Sequence, residues 1–140
     1  MPVRKASAKW DGKLRDGKGS MKLGSGAFEG PFSFSTRFEE EPGTNPEELI
    51  GAAYAGCYAM ALSNNLDKNG TPSTSVTTSG EVHLVGAEIQ KVVLNVNANV
   101  PDIDQAKFDE IVEATREGCP ISKLLKGGSA ELVINATLNS

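Results

Sequence analysis

Reactive sulfur and imidazole are scarce in this 140-residue chain, which has two cysteines and one histidine. Cys57, Cys119 and His83 cannot complete an ordinary four-ligand zinc site without help from carboxylates. The cysteines stand 62 residues apart, so there is no Cys-x-x-Cys redox motif. Positive charge is also short. Fourteen Lys and Arg against 18 Asp and Glu leave a net charge of −4, without the basic footprint of a nucleic-acid binder. No apolar run approaches the roughly 20 residues that span a bilayer, so no membrane association is expected. The basic start, Arg4-Lys5, is followed by no apolar stretch, and the expected compartment is the cytoplasm. Gly-x-Gly-x-x-Gly and Walker loops are absent, which leaves nucleotide binding unsupported. Repeats, linkers and low-complexity tracts are missing too, and the length suits one domain over residues 1–140.

What is present reads as runs of β segments separated by helices, without the strict strand–helix alternation of a doubly wound fold. Ala6, Ala8 and Trp10 alternate with polar residues up to an Asp11-Gly12 turn, and Met21 and Leu23 alternate up to Gly24-Ser25-Gly26. Phe28, Phe32 and Phe34 follow. The pattern predicts short antiparallel strands with one buried face, and places Arg37 in a strand between Phe34 and Phe38. Asn45-Pro46-Glu47-Glu48 is a helix start: Asn45 caps, Pro46 takes the first helical position, and Glu48 completes a capping box. That helix should run from Pro46 to about Asp67 and stop at Asn69-Gly70. Val76, Val82 and Leu84, then Val92, Leu94, Val96 and Ala98, form a long hairpin around Gly86-Ala87. A helix from Asp104 to Gly118, a short one opened by Cys119-Pro120, and a last strand through Leu132, Ile134, Ala136 and Leu138 complete the chain. The order of elements predicts an α+β fold with an antiparallel sheet.

The long helix carries Gly51-Ala52-Ala53-Tyr54-Ala55-Gly56-Cys57. Glycine inside a helix costs roughly 1 kcal/mol against alanine, so the small residues predict close approach of a second helix. Cys57 lies three turns from the helix start, beyond the reach of its dipole, and a buried thiol there is inert unless a cation holds its thiolate. Arg37 is the candidate cation. Cys119, at the expected cap of a short helix, is on local grounds the more acidic thiol. His83 sits among strand residues without an orienting carboxylate and reads as a half-exposed strand residue. Trp10 and the phenylalanines read as core or pocket wall.

Thr36-Arg37-Phe38-Glu39, Gly43-Thr44-Asn45-Pro46-Glu47-Glu48-Leu49-Ile50-Gly51-Ala52-Ala53, Gly56-Cys57 and Gly118-Cys119-Pro120-Ile121-Ser122 together resemble the OsmC/Ohr family, and the Phe34–Phe38 segment favours its OsmC branch. Tyr54 and Tyr58 carry little weight in that resemblance. It implies an intertwined homodimer, with antiparallel sheets wrapped around long central helices. It implies a thiol peroxidase acting on organic hydroperoxides, with Cys57 as nucleophile, Cys119 as resolving cysteine, and Arg37 and Glu47 as the catalytic arginine and glutamate. No metal, haem or flavin is implied. An external dithiol, such as a lipoyl-bearing protein, would act as reductant. The alternatives are a non-catalytic member that binds a small apolar ligand or senses oxidants, and a structural oligomer with inert thiols.

The helix spacing adds one expectation. Glu47 and Cys57 are ten residues apart, about 15 Å along one helix axis. Two copies crossing antiparallel near Ala52 would bring Glu47 of one chain towards Cys57 of the other, giving an isologous dimer with composite sites.

Overall fold

The computed structural model describes residues 2–139. They form two compact units that divide between Leu49 and Ile50.

In the first unit, β1 (Ala6–Asp11), β2 (Lys18–Leu23) and β3 (Glu29–Phe32) make an antiparallel meander in that order. The expected buried face is only partly realised. β1 is exposed along its whole length and β2 is half-buried. The segment expected to continue as a strand is instead a helix, α1 (Phe34–Phe38). The reason is local. Ser33 Oγ accepts from the Thr36 N–H at 3.2 Å, and the Ser33 N–H donates to Thr36 Oγ1 at 2.8 Å. This is a capping box with threonine in place of Glu or Gln. Phe34 and Phe38, one helical turn apart, then stack with centroids 5.0 Å apart. The four-residue spacing of these rings overrode the two-residue spacing of Phe32 and Phe34.

Helix α2 (Pro46–Lys68) starts as expected, with Asn45 Oδ1 accepting from the Glu48 N–H at 2.7 Å. The other half of the box differs: the Glu48 carboxylate accepts from Thr44 Oγ1 at 2.9 Å. Asn45 Nδ2 also donates to the Thr36 carbonyl at 3.0 Å, which ties the start of α2 to α1. Gly43 makes that junction possible. Its φ is 149°, and a Cβ there would lie 2.7 Å from Thr36 Cγ2.

The second unit contains the rest of α2, the hairpin β4 (Ser75–Val85) and β5 (Glu88–Asn99), helices α3 (Gln105–Gly118) and α4 (Pro120–Lys126), and β6 (Glu131–Asn139). The sheet order is β4-β5-β6. The hairpin is antiparallel, but β6 lies parallel to β5, from Lys91 opposite Glu131 to Asn99 opposite Asn139. This sheet is therefore mixed, where a purely antiparallel one was expected. The helices between β5 and β6 supply the long crossover that a parallel pair requires.

The core of this unit is built from two periodicities. Tyr54, Tyr58, Leu62 and Leu66, four residues apart on α2, are fully buried. Val92, Leu94, Val96 and Ala98, two apart on β5, meet them together with Val100, Phe108 and Ile111. No helix among the described residues is long and apolar enough to cross a membrane.

The glycines of α2 behave differently from one another. Gly51 faces the sheet: a Cβ on Gly80 of β4 would lie 3.0 Å from the Gly51 carbonyl oxygen. The close approach here is helix on strand, and the residue that must stay small is Gly80. Gly51 itself has room for a methyl group, with its nearest neighbour 3.6 Å away. Gly56 meets nothing within 4 Å and lies on an exposed face with Ala52, Ala53 and Met60. Gly80→Ala should lower stability by about 1–3 kcal/mol, because the obstructing atom is helix backbone, whereas Gly51→Ala in the isolated chain should not. Thermal melts of the two variants check this; equal melting temperatures would contradict it.

Candidate active site

The four residues singled out from the sequence fall into two side-chain pairs, one in each unit. In the second unit Cys119 occupies a pinned corner. It is the C-cap of α3, its N–H donating to the Thr115 carbonyl at 2.9 Å. It is also the N-cap of α4, its carbonyl accepting from the Lys123 N–H at 3.0 Å. Its backbone is extended (φ −65°, ψ 125°), and Pro120 follows at the first helical position, where a missing N–H costs nothing. The corner aims the side chain inward, and Cys119 is fully buried. Its sulfur does not cap the helix. It donates instead to Cys57 Sγ at 2.8 Å, and both residues are free thiols.

Cys57, in the middle of α2, is half-buried. Burial pushes its pKa up, and the Cys119 thiol adds to that, while a hydrogen bond from the Ile121 backbone N–H works the other way. The balance within this unit favours the neutral thiol, as expected for a cysteine in a helix interior. No cation of the second unit contributes to it.

Further bonds hold α2 against the α3–α4 corner. Tyr54 and Ser122 hydroxyls are hydrogen-bonded to each other with both residues buried. Tyr58 Oη donates to the Val112 carbonyl at 3.0 Å. Asn65 Nδ2 donates to Thr115 Oγ1 at 2.9 Å, and that hydroxyl donates on to the Ile111 carbonyl at 2.8 Å. Burial raises the pKa of both tyrosines, so each stands as a neutral phenol. From the sequence, Tyr54 and Tyr58 carry little weight and Ser122 is only part of the Cys119 motif, with no role of its own. Their signal was the four-residue stripe they begin on α2 and the three-residue offset of Ser122 from Cys119.

In the first unit Arg37, in the last turn of α1, meets Glu47, in the first turn of α2. Nε lies 2.9 Å from Oε1 and 3.3 Å from Oε2, and Nη2 lies 2.8 Å from Oε1. Glu47 is buried, whereas the Arg37 side chain is 39% exposed. Among the described residues Nη1 of Arg37 has no hydrogen-bond partner and stays available. Such a two-point pair fixes the guanidinium plane as a single contact would not. Beside it opens a pocket of about 330 Å³, lined mainly by Trp10, Leu14, Phe32, Phe34 and Phe38, with Arg37 in its wall. Trp10 and Phe32 pack at a centroid distance of 5.4 Å, and the Arg15 guanidinium lies 4.3 Å over Phe34. Of the aromatic residues read from the sequence as core or pocket wall, Trp10, Phe32, Phe34 and Phe38 line this pocket, while Phe108 is buried in the core of the second unit. His83 is half-exposed on β4 as expected, but a carboxylate does neighbour it, with Glu81 Oε1 3.7 Å from Nε2.

A buried carboxylate steering a guanidinium and two free thiols in van der Waals overlap define a redox-thiol protein on a two-sheet α+β scaffold. Residues 38–132 match the family described as OsmC-like protein, and the chain belongs to that family. It is 43% identical to Peroxiredoxin OsmC of Escherichia coli K12, over 98% of this chain and 97% of that one. It is 35% identical to the organic hydroperoxide resistance protein OhrB of Bacillus subtilis, over 64% of this chain and 67% of that one. Solved structures share the fold. The OsmC-like protein from Mycoplasma pneumoniae superposes with a TM-score of 0.79 at 12% identity, covering 99% of both chains. B. subtilis OhrB superposes with a TM-score of 0.64 at 22% identity, covering 95% of this chain and 98% of that one.

Proposed function

We propose that this protein is a cysteine-based peroxidase that reduces hydroperoxides, organic ones in preference to hydrogen peroxide. The observation that carries the proposal is the pair of free thiols, Cys57 and Cys119, held 2.8 Å apart. The likeness to Peroxiredoxin OsmC over nearly the whole chain supports it. The Cys57 thiolate attacks the terminal oxygen of the hydroperoxide. The O–O bond breaks, hydroxyl is transferred to sulfur as a sulfenic acid, and the alkoxide leaves and takes up a proton to become an alcohol. Cys119 then attacks the sulfenic sulfur. An S–S bond forms, the S–O bond breaks, and water departs. An external dithiol, in this reading one such as a lipoyl-bearing protein, reduces the disulfide by exchange and is itself oxidised.

Arg37 is the cation this chemistry needs. It holds the Cys57 thiolate and meets charge developing on the leaving oxygen, while Glu47 orients it. We assign the encounter to a homodimer in the cytoplasm, in which residues 1–140 of each copy act as one OsmC-like domain. Two α2 helices cross near Ala52, so that Arg37–Glu47 of one subunit serves Cys57–Cys119 of the other. The exposed small face of Ala52, Ala53 and Gly56 supports that crossing. The aromatic pocket beside Arg37 accepts the organic tail of the substrate.

Reduced protein rapidly mixed with tert-butyl hydroperoxide should form one equivalent of alcohol, lose two thiols and gain the Cys57–Cys119 disulfide, faster than with hydrogen peroxide. Binding of the hydroperoxide without loss of thiols would leave the small-ligand reading standing. Full activity in a monomer would sink the composite site.

A further inference from the structure

The cysteine pair does not stand alone between α2 and α4. Tyr54 lies three residues before Cys57 on α2, and Ser122 lies three residues after Cys119 on α4, so each shares a helix face with its cysteine. The two helices are therefore joined by two rungs, the thiols and the buried Tyr54–Ser122 hydrogen bond. The two rungs differ in one respect that matters for chemistry. The thiol rung changes in every catalytic cycle, when Cys57 gains an oxygen and the sulfurs then join. The hydroxyl rung takes no part in that chemistry. Tyr54 and Ser122 are 0% and 1% exposed, and Tyr54 is held in the stripe with Tyr58 and Leu62.

We propose that Tyr54 and Ser122 are positioning residues for the second step of the reaction: their bond holds the start of α4 on α2, so that Cys119 stays within reach of Cys57 after Cys57 has become a sulfenic acid. The inference rests on the peroxidase reading for its role in turnover, but not for its effect on disulfide closure. Intramolecular closure depends on how often the two sulfurs meet in line, a condition that fixed geometry can improve by orders of magnitude. Removing the rung should leave oxygen transfer to Cys57 nearly intact and should slow only the formation of the S–S bond.

The test uses the full-length protein with Tyr54→Phe, Ser122→Ala and the double substitution. The double variant removes both polar partners and so leaves no buried hydroxyl unpaired. Asn65→Ala, which cuts a different bond between α2 and α3 two turns from Cys57, controls for general loosening. With tert-butyl hydroperoxide, sulfenic acid formation in Tyr54→Phe should stay within about twofold of wild type, and closure should slow about tenfold. In a dithiothreitol redox buffer, which needs no peroxide, a tenfold lower equilibrium constant for closure makes the disulfide easier to reduce, by about 30 mV. Unchanged closure and midpoint in Tyr54→Phe, or in the double variant should the single one unfold, would overturn the proposal. So would an equal loss in Asn65→Ala. If wild type forms no sulfenic acid, the peroxidase reading fails, and the redox-buffer midpoints still decide whether the rung positions Cys119.

Discussion

Cys57→Ser should abolish hydroperoxide reduction, a loss on the order of 10³-fold or more in single-turnover rate, while Cys119→Ser keeps the first turnover. The difference follows from the division of labour between the sulfurs. Oxygen is transferred to a nucleophilic thiolate, and a serine hydroxyl in the same place is neither ionised nor comparably nucleophilic. Cys119 is fully buried beneath Cys57, so the half-buried Cys57 is the sulfur a peroxide can reach first. With Cys119 replaced, the sulfenic acid at Cys57 has no partner and should accumulate, which dimedone labelling and mass spectrometry would register. Retention of the first turnover in Cys57→Ser with its loss in Cys119→Ser would reverse the two roles. Neither change should unfold the chain, since the Cys119 corner is held by its backbone hydrogen bonds to Thr115 and Lys123.

Arg37→Ala should lower the rate of the first step by about 10²–10³-fold at neutral pH and move its pH dependence upward. The Cys57 pKa is raised by burial and by Cys119, so without a cation the thiolate fraction at neutral pH is small. Since the thiolate reacts, the rate climbs with pH until the thiol has ionised. With Arg37 delivered to Cys57, that climb should finish below the ordinary thiol range; without Arg37, it should continue above it. One complication has a remedy. The buried Glu47 carboxylate loses its partner in Arg37→Ala, at a cost of roughly 1–3 kcal/mol. Adding Glu47→Gln removes the unpaired charge, and the rate should remain low. Identical pH profiles in wild type and both variants would show that Arg37 does not activate Cys57.

Much of this fold could be read from the residues alone. Asn45-Pro46 began α2, Gly70 ended it with a φ of 81°, and the alternation in β5 identified its buried face. These features are set by short-range chemistry. Features set by competition or by distant partners were not legible. Phe34–Phe38 offered both strand and helix spacing, and a serine–threonine cap decided between them. The parallel placement of β6 depends on a crossover whose direction no local pattern encodes. The glycine of α2 that packs closely does so against Gly80, 29 residues away. For the site, the four residues proposed to act together were singled out through family resemblance, and local reasoning gave Cys119 different surroundings: its position at a helix start is real, but its sulfur turns to Cys57 rather than to the helix amides. The supporting hydroxyls of Tyr54 and Ser122 were hidden because each reads as an ordinary core or helix residue until the other is placed beside it.

The parallel strand at the end of the chain has a mechanical meaning for the redox pair. Cys119 rides on the passage between β5 and β6, and Arg116, one turn before it, donates from Nη2 to the Leu132 carbonyl of that last strand at 3.2 Å. A slip of β6 by one residue would turn its inward side chains outward and drag the passage with it. The alignment of the nine residues of β6, Glu131–Asn139, thus bears on where the Cys119 corner sits against α2.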